Sequence, residues 1–337
     1  MARIKVGING FGRIGRAFTR IALERNTFDI VVVNTRKPQA DLMAYLLQYD
    51  SIYRKFKLPV SVENNNLRVG ESIITLTQDA TPEEIPWDSY GVDVVVDATG
   101  AFVTKEDLLR HIKGTVKKVI LTAPSKDEET PHVVLGVNDA SFDFAGEPVI
   151  ANASCTTNCA APMFKVLDDL ATVTAGYLTT THAYTQTQSL QDDANKSKDR
   201  SRAAALNTAP STTGAAKAVA KVLPHLKGKL DGMAVRVPVP VGSFTDISAI
   251  VEKPITAEEI NAAFKAASEG SMRGILGYET EMLVSADYIG NPNSCTFDAN
   301  YTKVINGTLV KIFGWYDNEW GYSTRVVDLV ERLQAGM

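Results

Sequence analysis

Through the first half of the chain, short β-branched runs alternate with apolar residues at helical spacing. Ile4-Lys5-Val6-Gly7-Ile8 reads as a short buried strand, and after a glycine-rich turn Ile14, Phe18, Ile21 and Ala22 form the inner stripe of a helix ending near Arg25-Asn26. Ile30 to Val33 is a second buried strand, Leu42 to Leu47 is helical, and Asn64-Asn65-Asn66 marks a turn between short strands. Val92 to Asp97 and Lys118 to Leu121 read as further strands, with Leu108 to Ile112 in a helix between them and a short strand at Val133-Val134-Leu135 after them. Strands alternating with helices predict a parallel sheet with ligands at the carboxyl ends of its strands.

The second half has a different rhythm. Val149-Ile150 leads into Cys155, and Met163, Phe164, Leu167 and Leu170 then recur at helical spacing. Val173 to Thr181 is rich in β-branched residues and ends at His182. Gln186 to Arg202 is polar and irregular, a helical stripe runs through Val219 and Val222, and strands follow at Met233–Pro238 and Phe244–Val251. Ala257 to Ala267 is a helix with Thr256 as its N-cap, Leu309 to Phe313 is a strand, and Val326, Val327, Leu329, Val330 and Leu333 line a closing helix. The fold class expected is α/β: a Rossmann-type doubly wound parallel sheet, plus an α+β catalytic domain with a mixed or antiparallel sheet. Residues 1–153 make the first domain, 154–318 the second, and the helix 319–337 rejoins the first.

Composition narrows the setting. With 337 residues, 45% hydrophobic and 22% charged, the chain has ample core for two domains. A net charge of −4 gives no reason to expect nucleic acid or an anionic membrane as main partner. No apolar run approaches the ~20 residues of a membrane span, and no signal peptide precedes the first strand. Three cysteines cannot all pair internally, which suits a reducing cytoplasm, and no close Cys/His pairs suggest a metal.

Candidate chemistry falls at three places. Gly10, Gly12 and Gly15 make G-x-G-x-x-G between a strand and a helix, the setting in which that pattern seats a pyrophosphate. Roughly 20 residues on, where an acid would hold a free ribose 2′-hydroxyl, stand Asn34-Thr35-Arg36-Lys37, whose cations favour NADP or use of both cofactors. Thr99 and Thr122 end strands, where each faces the cofactor or caps the next helix or turn. Cys155, among hydroxyls at a helix start, is the candidate nucleophile, its pKa open to lowering by the helix N-terminus. Of four histidines, His111, His132 and His225 read as surface or structural, which leaves His182 to pair with Cys155. Thr213-Gly214 before a helix offers an anion seat, and Arg236 inside an apolar strand needs an anion if it is buried.

These residues resemble the phosphorylating glyceraldehyde-3-phosphate dehydrogenases over essentially the whole chain. The likeness rests on Gly7 to Arg16 and, most specifically, on Ala153-Ser154-Cys155-Thr156-Thr157-Asn158-Cys159. It implies oxidation of D-glyceraldehyde 3-phosphate to 1,3-bisphosphoglycerate through a Cys155 hemithioacetal and thioester, with His182 as base. It also implies Ser154, Thr156, Arg200, Thr213 and Gly214 around inorganic phosphate, and Thr185 and Arg236 near the substrate's phosphate. Arg13 and Ile14 would cradle the pyrophosphate and Asn318 the nicotinamide amide, in a cytoplasmic homotetramer. Thr35 stands where NAD-type members carry Asp, Asp193-Ala194 where they tend to carry Leu-Pro, and Thr187 where many carry Asp. The alternatives are an erythrose-4-phosphate dehydrogenase, or a non-enzymatic cofactor- or RNA-binding role.

Overall fold

A computed structural model describes residues 3–336. The chain divides into two compact units: one comprises the chain up to Val133, Ser141–Ala153 and the segment from Ser323 on, the other Val134–Ala140 and Ser154–Tyr322.

The first unit is built on an eight-stranded sheet. Val149–Ala151, Lys118–Leu121, Val94–Asp97, Lys5–Asn9, Asp29–Asn34 and Ser72–Thr77 run parallel in that spatial order, and Asn66–Val69 and Val60–Glu63 extend it antiparallel. Chain order reverses at Lys5–Asn9, so the glycine turn after it lies at the switch point of a doubly wound sheet. The Arg13–Arg25 helix buries Phe18, Ile21 and Ala22 and stops at Asn26, whose left-handed φ of 52° suits asparagine. The expected strand at Val133-Val134-Leu135 does not form. A single parallel bridge joins His132 to Ala151, after which Asn138 Oδ1 accepts from the Val134 N–H (2.9 Å) and a turn takes the chain away. The helix expected over Leu108–Ile112 runs earlier, over Lys105–Leu109. Thr104 caps it, and its end tightens through the i→i+3 bonds from the His111 and Ile112 N–H groups.

The second unit carries a mixed sheet. Its strands lie in the order Ala209–Thr212, Leu230–Val237, Val173–Ala183, Ser243–Val251, Leu309–Tyr316, Cys295–Asp298 and Leu276–Glu279, with Lys303–Ile305 also on Leu309–Tyr316. Val173–Ala183 pairs parallel with Leu230–Val237 and antiparallel with Ser243–Val251. The edge strand Ala209–Thr212 was not legible as a strand because it contains Pro210, which an edge tolerates. The Cys155–Ala171 helix is buried all round through its first half, not along one stripe, while Leu170 is 38% exposed. This helix is the core of the unit, packed against four strands and the Ala215–Val222 and Ala257–Glu269 helices. Thr256 and Glu259 form a reciprocal capping box on the last of these.

Candidate active site

In the first unit, the turn after Lys5–Asn9 fits a dinucleotide. Gly10 has φ +97°, and a Cβ there would meet the Thr99 N at 2.8 Å. A Cβ on Gly15 would sit 2.2 Å from the Gly10 carbonyl oxygen. Gly12 is the N-cap and brings no side chain to the first helical turn. Its absent Cβ faces open space, which leaves the backbone N–H groups of Arg13 and Ile14 room to meet a pyrophosphate. The Arg13 side chain is engaged elsewhere, paired with Asp50 and lying 5.6 Å over the Tyr53 ring.

The strand ends beneath this turn are tied together by buried polar groups. Asn34 Nδ2 donates to Asn9 Oδ1 (2.9 Å) and to the Asp79 carbonyl (3.0 Å), while Asn34 Oδ1 accepts from Thr77 Oγ1 and the Asp79 N–H. Asn34 is therefore consumed by the scaffold and does not present its amide to a ligand. Asn9 Nδ2 donates to Asp97 Oδ2 (2.8 Å), and Thr99 donates twice to Asp97 Oδ1, the capping reading of that threonine. Trp87 Nε1 donates to His111 Nδ1 (3.0 Å). Indole only donates, so the His111 proton is on Nε2, which faces Asp97 Oδ2 at 3.3 Å. His111 is fully buried and structural, not part of a charged surface helix. His132 is buried too, and His225 is half exposed with Nε2 2.7 Å from Asp168. Thr122 Oγ1 donates to the Asp97 carbonyl (3.0 Å). Thr35 is half-buried, and Arg36 and Lys37 are exposed and make no ion pair among the described residues.

The second unit resumes at Ser154, the N-cap of the Cys155–Ala171 helix, directly after Ala153 with its left-handed φ of 53°. Ser154 Oγ accepts from the Thr157 N–H (3.0 Å) and lies 2.7 Å from Thr157 Oγ1, so much of its hydrogen-bonding capacity serves the helix. Cys155 is the first helical residue, and its Sγ lies 3.4 Å from Nε2 of His182 at the end of the Val173–Ala183 strand. Cys159, one turn on, is buried with its Sγ 3.7 Å from the Gly314 carbonyl and takes no part. Burial pushes the Cys155 thiol up to about 11, against the pull of Arg236 and of the Thr156 N–H and hydroxyl. Burial, with Arg236 and Arg200 adding to it, takes His182 down to about 3. Burial thus opposes the lowering expected from the helix N-terminus, while Arg236 and Thr156 act in its favour.

Sheet register sets what surrounds this pair. His182 is directly opposite Arg236 across parallel strands, and a slip of one residue would turn either side chain to the other face. Arg236 Nη1 lies 2.8 Å from His182 Nδ1 and donates to the Ala183 carbonyl (2.9 Å), while the Arg236 Nε–H is buried with no hydrogen-bond partner. Arg200 donates from Nη1 to Thr187 Oγ1 (2.9 Å) and from Nη2 to Ser211 Oγ (3.1 Å). Asp199, 3.4 Å from Arg200 Nε, is the carboxylate that pairs with either guanidinium among the described residues. Two cations against one acid, with a buried donor unsatisfied, make a seat for an anion. Thr185 Oγ1 lies 2.9 Å from Thr187 Oγ1. Thr213 Oγ1 accepts from the Ala215 N–H (3.2 Å), and Gly214 caps the Ala215–Val222 helix with no side chain. Asn318 is buried, its Oδ1 accepting from Ser243 Oγ (3.0 Å).

Tyr316 escaped the sequence reading. Its hydroxyl lies 3.0 Å from Thr156 Oγ1 and 2.8 Å from Thr180 Oγ1, and its ring meets His182 edge-on at 6.0 Å. The signal available was its place at the end of the Leu309–Tyr316 strand, two residues before Asn318.

Comparison with known proteins points one way. A family model described as "Glyceraldehyde 3-phosphate dehydrogenase, NAD binding domain" matches residues 4–105, and one described as "Glyceraldehyde 3-phosphate dehydrogenase, C-terminal domain" matches residues 154–318. The chain is 50% identical over 327 residues to glyceraldehyde-3-phosphate dehydrogenase 2 of Streptomyces avermitilis, covering 97% of each chain. It is 50% identical over 332 residues to glyceraldehyde-3-phosphate dehydrogenase of Geobacillus stearothermophilus (98% of each). It is 46% identical over 335 residues to glyceraldehyde-3-phosphate dehydrogenase 2 of Bacillus subtilis, covering 99% of this chain and 98% of that one.

Proposed function

The chain belongs to the glyceraldehyde-3-phosphate dehydrogenase family, and from that premise we propose which of its residues carry out the family's phosphorylating, nicotinamide-dependent oxidation of glyceraldehyde 3-phosphate. The observation that carries the assignment is the 3.4 Å approach of Cys155 Sγ to His182 Nε2 at a helix N-terminus. The thiol proton goes to His182 Nε2 and the sulfur attacks the aldehyde carbon; the proton is then delivered to the oxygen of the hemithioacetal. The first-turn N–H groups of the Cys155–Ala171 helix stabilise the developing oxyanion. His182 then takes the hydroxyl proton as the aldehyde carbon is oxidised to a thioester. The bound nicotinamide dinucleotide supplies the hydride acceptor. Inorganic phosphate cleaves the thioester to the acyl phosphate and returns Cys155.

Arg200, with Thr213, Gly214, Ser154 and Thr156, receives that phosphate, and Arg236 with Thr185 receives the phosphate of the substrate. Gly10, Gly12, Gly15 and the Arg13 and Ile14 backbone hold the pyrophosphate, Thr122 faces the cofactor from the end of its strand, and Asn318 holds the nicotinamide amide. Thr35 without a carboxylate and the unpaired, exposed Arg36 favour NADP, or use of both cofactors. The working form is a cytoplasmic homotetramer. Stopped-flow turnover with and without inorganic phosphate tests this reading. Without phosphate one equivalent of reduced cofactor should form per Cys155 and then stop; steady turnover of equal rate without phosphate would defeat it.

A further inference from the structure

The amide of Asn318 is held at one end only. Its Oδ1 lies 3.0 Å from Ser243 Oγ, while Nδ2 makes no hydrogen bond among the described residues, in a side chain that is 5% exposed. The backbone around it is fixed: the Asp317 carboxylate accepts from the N–H groups of Gly290 (2.8 Å), Glu319 (2.9 Å) and Trp320 (2.8 Å). What the backbone does not fix is the sense of the amide, a half-turn that exchanges a carbonyl oxygen for an NH2 group. Ser243 decides it by its single proton. The ladder between Val173–Ala183 and Ser243–Val251 ends at the pair Thr181 and Phe244, and beyond it the Ala183 N–H donates to Ser243 Oγ (3.1 Å). Ser243 is 1% exposed, and the acceptor that its own proton meets among the described residues is Asn318 Oδ1. With the amide reversed, Ser243 Oγ would face two donors and its hydroxyl proton would be buried without an acceptor.

We propose that Ser243 is a positioning residue that fixes the sense of the Asn318 amide and so decides which hydrogen-bonding group the cofactor's pyridine ring can carry. A hydroxyl suits this place because it accepts from the Ala183 N–H and donates to Asn318 at once, which no aliphatic side chain can do. With Oδ1 held by Ser243, Asn318 offers the cofactor donors alone. Those donors match the carbonyl oxygen of a nicotinamide carboxamide. They reject a ring substituent that only donates, since two donors face to face leave both unpaired. The preference is thus set from a neighbouring strand, 75 residues earlier in the chain, by a side chain that acts through Asn318. This inference rests on the assignment of Asn318 to the nicotinamide amide.

The test reads equilibrium binding, not turnover. Full-length protein is titrated by calorimetry with two dinucleotides in which the nicotinamide is replaced. One carries 3-acetylpyridine, which has a carbonyl and no N–H; the other carries 3-aminopyridine, which has N–H groups and no carbonyl. Wild type should bind the acetyl form at least about tenfold more tightly, the worth of one hydrogen bond against an unpaired donor. In Ser243→Ala the amide can turn to suit either ring, and that ratio should fall about tenfold, toward one. A merely structural role for Ser243 would weaken both analogues alike, so an unmoved ratio in the folded variant would overturn the proposal. A wild-type ratio near one would also overturn it, and that measurement decides should Ser243→Ala fail to fold. Asn318→Asp, which presents an oxygen in either sense, should shift the ratio toward the amino form. If Asn318→Asp shifts it and Ser243→Ala does not, this inference alone is lost. If neither variant shifts it, Asn318 does not meet the ring and the assignment beneath falls as well.

Discussion

Each unit buries a histidine in a polar cluster, and the two clusters are built on opposite principles. Around His111 every contact is compatible with one protonation pattern: Trp87 donates to Nδ1, Nε2 donates to Asp97, and Asn9 and Thr99 fill the rest of that carboxylate. Around His182 the contacts conflict, with one donor and one acceptor competing at Nδ1 and a buried guanidinium N–H left over. A closed network rigidifies, because any change leaves a buried group unpaired. An open one stores unmet hydrogen-bonding capacity that a ligand can satisfy. Burial alone does not separate a structural histidine from a functional one, since His111 is 0% and His182 4% exposed.

The comparison can be broken most severely at the open cluster. Cys155→Ser should lower phosphate-dependent oxidation by at least about 10⁴-fold while cofactor binding, followed by fluorescence titration, is retained; a variant within tenfold of wild type would refute the nucleophile assignment. His182→Asn should cost about 10²–10⁴ in kcat, the range of a lost general base, with a smaller change in KM. At the closed cluster the expected effect moves from rate to stability. Trp87→Phe leaves His111 Nδ1 without its donor and should cost about 1–3 kcal/mol by urea denaturation, with kcat near wild type.

The pH dependence of stability offers a finer contrast. His182 is held down to about 3, so between that value and the ordinary histidine range near ~6.5 the unfolded chain binds a proton that the folded chain refuses. Stability should therefore fall as pH drops through this window, by up to about 1.4 kcal/mol per pH unit from this group, and His182→Asn should remove that slope. The smallest effect is outside both clusters. Arg36→Ala should shift the NADP/NAD ratio of kcat/KM by about tenfold toward NAD, and an unchanged ratio would show that Arg36 does not meet the 2′-phosphate.

Local signals account for much of what was readable. The glycines at 10, 12 and 15 carry their role in their own lack of a side chain, and the alternation of β-branched runs with helical stripes reports burial residue by residue. Thr256 with Glu259, and Ser154 ahead of Cys155, are contacts within one turn and so lie within one short stretch of chain. The strand expected at Val133 failed for a non-local reason: it had only the bridge to Ala151 for pairing, and Asn138 took the next N–H. Asn34 looked like a ligand residue until Asn9, Thr77 and Asp79, brought in from neighbouring strands, used up its amide.

The family of this chain, its two-unit α/β architecture and the identity of the candidate nucleophile and base were already determined by residue type and spacing, because each depends on chemistry that a short segment carries with it. The protonation of that pair was not. Whether a sulfur and an imidazole are charged depends on how much water they have lost and which distant cations face them. Those are set by the depth of the Cys155–Ala171 helix and by the register that brings Arg236, 54 residues along the chain, beside His182.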